Sequence, residues 1–130
     1  MAKTARAAKV NTRSAADLLA DAVVKGLQER KGREIISLDL RKLSGAVADI
    51  FVVCHGDSST HVEGLKRSVE EQVSKDIGDS PTFIEGLNNA HWILIDYINV
   101  VVHIFQPEQR SYYGIEKLWA DAETTSYPSD

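Results

Sequence analysis

The residues with the clearest chemical potential lie in a short polar turn at residues 54–59, with the sequence Cys-His-Gly-Asp-Ser-Ser. This turn ends Asp49–Cys54, a continuous apolar run typical of a central strand, and precedes a segment with helical periodicity. A turn between a central strand and a helix is where an α/β protein holds phosphate, because backbone amides at the helix start point towards the anion. The first chemical hypothesis is therefore a phosphate or nucleotide site at this turn.

The turn resembles the Gly-Ser turn of nucleotidyltransferases, whose sheets have a similar order of elements. Those enzymes require paired carboxylates, usually acid-x-acid on one strand, to hold magnesium against the nucleotide phosphates. The only such spacing in this sequence is at residues 121–123 (Asp-Ala-Glu), near the C-terminus and outside any predicted strand. Metal-dependent transfer would then require that carboxylates such as Asp39 and Asp96 converge from separate strands. The sequence therefore favours a protein that is not an enzyme.

Other reactive side chains give weaker signals. His55, Asp57 and His61 form a possible metal triad, but their spacing matches no strong ligand motif, and roles as turn and cap residues are favoured. Cys54 is the single cysteine, so no internal disulfide can form, and a buried, inert thiol in a reducing compartment is expected. The sequence has no glycine-rich nucleotide fingerprint. We predict neither a metal site nor a cofactor.

Length and charge narrow the class of protein. A chain of 130 residues with a net charge of −4 is expected to form one domain with a proper core. Residues 1–13 carry Lys3, Arg6, Lys9 and Arg13 and no acid, so we expect a basic, flexible leader that either contacts RNA weakly or is simply solvated. The acidic remainder argues against a nucleic-acid grip by the domain itself. With neither a membrane span nor a signal core in the pattern, a cytoplasmic protein without membrane contact is expected.

The periodicity of apolar residues predicts the element order α-β-β-α-β-β-β-α. One strand–helix–strand crossover and one hairpin imply a mixed sheet of about five strands with helices packed on it, an α/β (α+β) fold. We expect a single domain over residues 14–122 and a frayed polar tail from Thr124 to Asp130 within residues 123–130. The predicted elements are a helix from Ser14 to Lys31, strands Glu34–Leu40 and Asp49–Cys54, a helix from Ser58, Ser59 or Thr60 to Ile77, the short strand Thr82–Glu85, the hairpin described next, a short helix opened by Pro107 and a last turn at Glu116–Ala120.

The longest apolar-rich run, His91–Gln106, predicts the hairpin around which the sheet is organised. Its density of β-branched and aromatic residues indicates strand, and its length requires a turn. The turn is expected near Asn99, because asparagine tolerates a left-handed backbone. The predicted hairpin pairs His91–Tyr97 with Val100–Phe105.

Loop length decides which residues of the two strands share a face of the hairpin. The assignment below holds for a loop of two or four residues, whereas a three-residue loop would reverse the parity. The core face is apolar apart from one phenol and carries Ile93, Ile95, Tyr97, Val100, Val102 and Ile104. The second face mixes large rings with an acid and an imidazole and carries Trp92, Leu94, Asp96, Val101, His103 and Phe105. A mixed face suits a partner surface. The alternative, left open here, is that helices cover both faces and Asp96 bonds to His103.

Three stretches of the chain, taken together, resemble one family, the ribosomal silencing factors, also called the Iojap-related family. The stretches are Asp49–Cys54 with Gly56 and Ser58, then Glu85–Leu87 with Trp92, Asp96 and Tyr97, then Val100–Phe105 with Pro107, Glu108, Arg110, Tyr113, Glu116, Leu118 and Trp119. The resemblance covers nearly all of residues 14–122. It departs from the common pattern at the hairpin turn, where many members have Gly-Asp and this chain has Ile98 and Asn99.

The resemblance implies a nucleotidyltransferase-like fold without enzymatic carboxylates, acting as a translational repressor. The implied partner is the large ribosomal subunit, through its ribosomal protein numbered fourteen, at the face where the small subunit docks, so that binding blocks subunit joining. Some members form homodimers. The resemblance also gives the second face a use, with a predicted partner-binding set of Trp92, Leu94, Asp96, Tyr97, His103 and Phe105. The alternatives left open are an interface on the helix Ser59–Ile77, a metal-dependent nucleotidyltransferase, and a homodimeric scaffold without a ribosomal role.

Overall fold

The structure is a computed structural model that describes residues 14–128. The basic leader predicted at residues 1–13, like residues 129–130, lies outside the described residues. The elements, in chain order, are α1 (Ala15–Glu29), β1 (Arg33–Asp39), β2 (Ile50–His55), α2 (Ser59–Asp76), β3 (Phe83–Glu85), β4 (Trp92–Asp96), β5 (Val100–Phe105), α3 (Pro107–Tyr113), α4 (Ile115–Leu118) and β6 (Glu123–Tyr127). None of the helices in the described part has the length and apolarity needed to cross a bilayer.

The strands of the described residues form one six-stranded sheet in the order β3-β4-β5-β2-β1-β6. The central strands β2 and β5 run parallel, and all other neighbours are antiparallel. The strands β2 and β5 are parallel because α2 returns the chain to the end of the sheet at which β2 begins. The strands β3, β4 and β5 then follow as antiparallel neighbours. The predicted mixed α/β fold is confirmed, with one strand more than expected.

The additional strand is β6, which corrects the prediction of a frayed tail from Thr124. Residues 123–127 pair antiparallel with β1, from Asp39 against Glu123 to Ile35 against Tyr127. The hydroxyl groups of Ser37 and Tyr127 lie 3.0 Å apart and form a hydrogen bond across the two strands. The polar sequence of β6 suggested a tail, but threonine and tyrosine favour extended backbone, and β1 offers an otherwise open edge.

Helices α1 and α2 cover one face of the sheet. The helix α1 begins after Ser14 as predicted, and Ser14 caps it through a capping box with Asp17; Ser58, one of the three candidates, caps α2. The helix ends at Glu29, two residues before the predicted end at Lys31, and Lys31 itself has a left-handed backbone (φ 58°). The apolar side chains of both helices form one core with the inward residues of β2, β4 and β5.

The hairpin β4–β5 forms as predicted, with the two-residue loop that preserves the expected parity. All six predicted core-face residues are buried in the helix-covered core. The predicted turn geometry is wrong in one respect, because the left-handed backbone falls on Ile98 (φ 77°) rather than on Asn99. The Asn99 carbonyl is fixed instead, since it accepts hydrogen bonds from the backbone N–H groups of Asp49 and Ile50 at 2.9 and 3.1 Å.

The second face of the sheet is covered unevenly. Leu38, Phe51 and Phe105 form a second apolar cluster there, together with Ile115 of α4 and apolar residues of the 40–48 connection. The cover is made by α3, α4 and this connection, and β4 at the start of the hairpin is left half-exposed. The second face is therefore where the fold leaves large apolar side chains near solvent.

Candidate partner-binding surface

A cluster of rings lies on the second face. It joins three strands to the two short helices, and we call it the ring cluster: Phe51, Trp92, His103, Phe105, Tyr113 and Trp119. The Trp92 ring centroid lies 4.8 Å from that of Phe105 and 4.8 Å from that of Tyr113. Phe51 contacts His103 edge to face at 4.6 Å and contacts Trp119 at 6.1 Å. Aromatic pairs at such distances stabilise each other beyond the effect of area burial, so the cluster fixes α3 and α4 against the sheet.

Three residues of the predicted partner-binding set lie at the surface. Trp92, Leu94 and Asp96 alternate along β4 on the second face, and each is half-buried. The Asp96 carboxylate accepts a hydrogen bond from the backbone N–H of Ile98 at 2.7 Å, so it holds the hairpin turn. The alternative in which Asp96 bonds to His103 is wrong, because the imidazole has another partner.

The other three residues of the set are buried, which corrects the expectation that they form part of the contact surface. Phe105 is 0% exposed beneath the indole of Trp92, and His103 is 3% exposed between the rings of Phe51 and Trp92. Tyr97 lies on the opposite face, in the helix-covered core. The alternation of side chains along β5 predicted the correct face for Phe105 and His103. It could not show that α3 and the Trp92 side chain cover both residues.

The partner of His103 is Trp92. The indole N–H of Trp92 donates a hydrogen bond to Nδ1 of His103 at 3.2 Å, across directly neighbouring strands. Because Nδ1 accepts this bond, the proton of the neutral imidazole is on Nε2. That Nε2 is buried and has no hydrogen-bond partner within residues 14–128. Burial lowers the pKa of His103 to about 4, so the ring is neutral at pH 7.

A strip of exposed aromatic surface continues from Trp92 onto α3. Tyr113 contacts Trp92 and is half-exposed, and Tyr112 contacts Tyr113 at 5.0 Å and is 83% exposed. We call these three residues the aromatic strip. It borders an open groove of about 400 Å³, which Asn89, His91 and Gln109 complete. Sequence reasoning did not include Tyr112, although two adjacent tyrosines on a short helix point in directions about 100° apart, which favours exposure of one of them.

Arg110, which is almost fully buried, anchors the helix that carries the strip. Its guanidinium bonds to the Glu116 carboxylate at 2.8 and 3.0 Å, to Nδ1 of His55 at 3.0 Å and to the Arg33 carbonyl at 3.3 Å. Burial and the neighbouring Arg110 charge both lower the pKa of His55, which keeps that imidazole neutral and able to accept. These bonds join α3 and α4 to the ends of β1 and β2, so the aromatic strip lies on a fixed support.

The polar turn after β2 forms structural contacts. The His61 ring accepts the Asp57 backbone N–H at Nδ1 and bonds to the Arg30 carbonyl through Nε2, at 2.9 and 2.8 Å. Asp57 pairs with Arg33 at 2.9 Å, which lowers the pKa of that carboxyl. Among the described residues no cluster of three potential ligands could hold a metal ion.

The carboxylates considered for nucleotidyl transfer do not converge. Asp39 on β1 and Asp96 on β4 are separated by β5 and β2, which places their strands about 14 Å apart at normal strand spacing. Asp39 instead pairs with Arg41 at 2.8 Å. Cys54 is buried in β2 as predicted, and burial raises the pKa of its thiol to about 12, which suppresses the reactive thiolate.

Comparison with known proteins gives a consistent set of relatives. A model of the family described as "Ribosomal silencing factor during starvation" (RsfS) matches residues 12–130. The chain is 39% identical to the ribosomal silencing factor RsfS of Bacillus subtilis over 94 residues, which is 72% of this chain and 78% of that protein. It is 36% identical to RsfS of Halalkalibacterium halodurans over 101 residues, 78% of this chain and 85% of that protein. A crystal structure of a Chromobacterium violaceum protein superposes with a TM-score of 0.73 at 34% identity, covering 78% of this chain and 83% of the other.

Proposed function

Because the chain belongs to the ribosomal silencing factor family, we propose that it is a translational repressor that binds the large ribosomal subunit and blocks subunit joining. The docking point we propose is the large-subunit ribosomal protein numbered fourteen, contacted by the second face of the hairpin. The action is steric and includes no chemical step. It takes place in the cytoplasm, where the two subunits meet.

The observation that carries this proposal is the aromatic strip. Tryptophan and tyrosine are enriched in the centres of protein interfaces, because large rings exclude water over a wide area and lose little conformational entropy on binding. Trp92 and Tyr113 support each other through ring contact, and Tyr112 extends the apolar surface outward. Leu94 and Asp96 lie beside them on β4 and supply an aliphatic and a charged contact. The buried members of the predicted set, Phe105 and His103, act from beneath as support.

Steric exclusion requires only size and residence time. A chain of this length has a radius of gyration of roughly 14 Å. A copy bound to the large subunit would therefore keep the small subunit too far away for the two subunit surfaces to touch. Affinity differences between related complexes lie mostly in the dissociation rate, and silencing requires that the protein remain bound longer than one attempt at subunit joining. The rigid support of the strip by Arg110 is consistent with slow dissociation, because little of the surface must be ordered on binding.

Co-sedimentation with purified large subunits tests the proposal. Trp92→Ala should lose about 2 kcal/mol or more of binding free energy, as expected for a central aromatic anchor. Leu18→Ala is the matched control, because Leu18 is also a half-exposed apolar residue but lies on α1, on the opposite side of the sheet. Normal pelleting of Trp92→Ala together with the large subunit would contradict the proposed interface.

One further variant and one measurement of oligomeric state separate the remaining alternatives. Arg67→Glu changes an exposed residue of α2, so loss of binding in that variant alone would move the interface to the helix. A second copy of the chain is the other candidate occupant of the strip. Sedimentation equilibrium of the isolated protein decides this point, since a dimer that Trp92→Ala dissociates would place the strip between two copies.

A further inference from the structure

We propose that His103 is a positioning residue for partner binding: it holds the Trp92 indole in the orientation that the partner recognises. This inference rests on the proposed function, because it assigns to a buried residue a role in the same surface. It starts from a feature that packing alone does not explain, a polar imidazole among apolar rings.

The position of His103 favours an apolar side chain. Its neighbours on the second face are Phe51, Val101 and Phe105, and the residue opposite it on β4 is Leu94. The ring is neutral, and its Nε2–H group has no acceptor within the described part of the chain. A buried donor without an acceptor destabilises a fold, whereas phenylalanine at the same position would carry no polar atom of its own and would free only the half-buried Trp92 indole to turn its N–H towards water. The imidazole therefore requires an explanation other than stability.

The hydrogen bond to Trp92 supplies that explanation. Stacking on Phe105 and contact with Tyr113 restrict the plane of the indole, but stacking alone would also allow the ring turned over about χ2, with its two edges exchanged. The indole has one hydrogen-bond donor, so a bond from it to Nδ1 of His103 selects one ring orientation. The acceptor is fixed in turn, because His103 is packed on β5 directly opposite Leu94 and lies diagonal to Trp92, whose own cross-strand partner is Phe105.

The same bond determines what the partner meets. Because the indole N–H is directed inward, the exposed part of Trp92 carries no free hydrogen-bond donor. The partner surface that receives Trp92 is therefore expected to be an apolar pocket without a matching carbonyl or carboxylate. Without His103, the indole could turn its N–H outward, and it would then enter such a pocket only with an unpaired donor.

Two substitutions separate positioning from a structural role. His103→Phe keeps a ring of similar size and removes the acceptor, so it should keep or increase thermal stability and weaken binding to large subunits by about tenfold or more. His103→Asn keeps an acceptor close to the position of Nδ1 but leaves a cavity, so it should be less stable and bind more tightly than His103→Phe. If His103 had only a structural role, binding affinity would follow stability, and His103→Phe would bind large subunits more tightly than His103→Asn.

The hydrogen bond itself can be measured in the unaltered protein, which does not depend on how a variant folds. In the ¹⁵N-labelled chain, a nitrogen–nitrogen coupling across the bond should connect the Trp92 indole to Nδ1 of His103, with the indole signal assigned by Trp119→Phe. Absence of this coupling, or binding of His103→Phe within twofold of the wild type while Trp92→Ala fails to bind, would overturn the positioning role and leave the proposed function standing. Normal binding by both Trp92→Ala and His103→Phe would overturn both.

Discussion

The backbone of Gly26 in α1 lies directly against Ser68 of α2. The Ser68 hydroxyl donates a hydrogen bond to the Gly26 carbonyl at 2.7 Å, and both residues are buried. A Cβ at Gly26 would lie 2.9 Å from the Ser68 carbonyl oxygen and 2.9 Å from the Val69 Cα. The two helices can approach this closely only because position 26 has no side chain. Their close packing covers one face of the sheet, opposite the second face that we propose for partner binding.

Gly26→Ala should therefore destabilise the protein even though alanine is the better helix former. Backbone atoms cannot move aside like a flexible side chain, so we expect a loss of about 1–3 kcal/mol in the free energy of unfolding by urea denaturation. Gly64→Ala is the matched control within α2, because its Cβ would meet no atom within 4 Å. That variant should gain up to about 1 kcal/mol from helix propensity. Equal effects of the two substitutions would refute the close-contact explanation.

The hairpin turn gives a prediction in the opposite direction. Ile98 is a β-branched residue with φ of 77° and a side chain that is 60% exposed, so it is strained and contributes little packing. Ile98→Gly should raise the free energy of unfolding by about 1 kcal/mol, because glycine adopts this backbone without strain. Ile98→Val keeps the branched Cβ and should leave stability nearly unchanged. A clear loss of stability in Ile98→Gly would show that the side chain contributes more than the strain removes.

Tyr97 allows a test of how much a buried hydroxyl group without a hydrogen-bond partner destabilises the core. Its hydroxyl is buried and has no hydrogen-bond partner among residues 14–128, and burial, together with Glu70 and Asp79, raises the pKa of the phenol. Tyr97→Phe should increase the free energy of unfolding by about 1 kcal/mol, because the polar atom is removed and the ring remains. Tyr127→Phe is the control, since it deletes a hydroxyl that bonds to Ser37 and should lose a similar amount. If both substitutions destabilise equally, the Tyr97 hydroxyl has a partner in solution.

The low pKa of His103 predicts a dependence of stability on pH. Burial lowers this pKa from 6.5 to about 4 in the folded chain, so the unfolded chain takes up the proton first as pH falls. The contribution of His103 to the free energy of unfolding is therefore constant above pH 6.5 and is lost as pH falls towards 4, by up to about 3 kcal/mol.

Urea denaturation at pH 7 and pH 4.5 should show this loss of stability, and His103→Phe should reduce it. Some dependence remains in that variant, because His55 also has a lowered pKa. An unchanged pH dependence in His103→Phe would show that His103 is accessible to protons.

Sequence reasoning predicted the hairpin well because its determinants are local. The parity of a strand pair follows from loop length alone, and the predicted core face is buried from Ile93 to Ile104. The cap at Ser14 and the central position of β2 follow equally from nearby residues. The missing acid-x-acid pair was read directly from spacing, and the structure separates the remaining carboxylates, Asp39 and Asp96.

The errors concern contacts that join distant parts of the chain. The strand β6 forms because β1 has an open edge, and the polar residues of β6 do not reveal this. The burial of Phe105 and His103 depends on α3, which Arg110 attaches to the sheet through His55 and Arg33. The left-handed residue is Ile98 because the Asn99 carbonyl bonds to two amides of the segment that enters β2. The periodicity of one segment cannot show what another segment places over it.

The most direct test of the account is the joining of purified ribosomal subunits in the presence of this protein, followed by light scattering. We expect the chain to reduce the amount of joined ribosomes at the concentration that saturates large subunits, with Leu18→Ala as active as the wild type and Trp92→Ala inactive. Normal joining on large subunits that are saturated with the wild-type protein would contradict the steric mechanism, and inhibition by Trp92→Ala equal to that by the wild type would contradict the role of the aromatic strip.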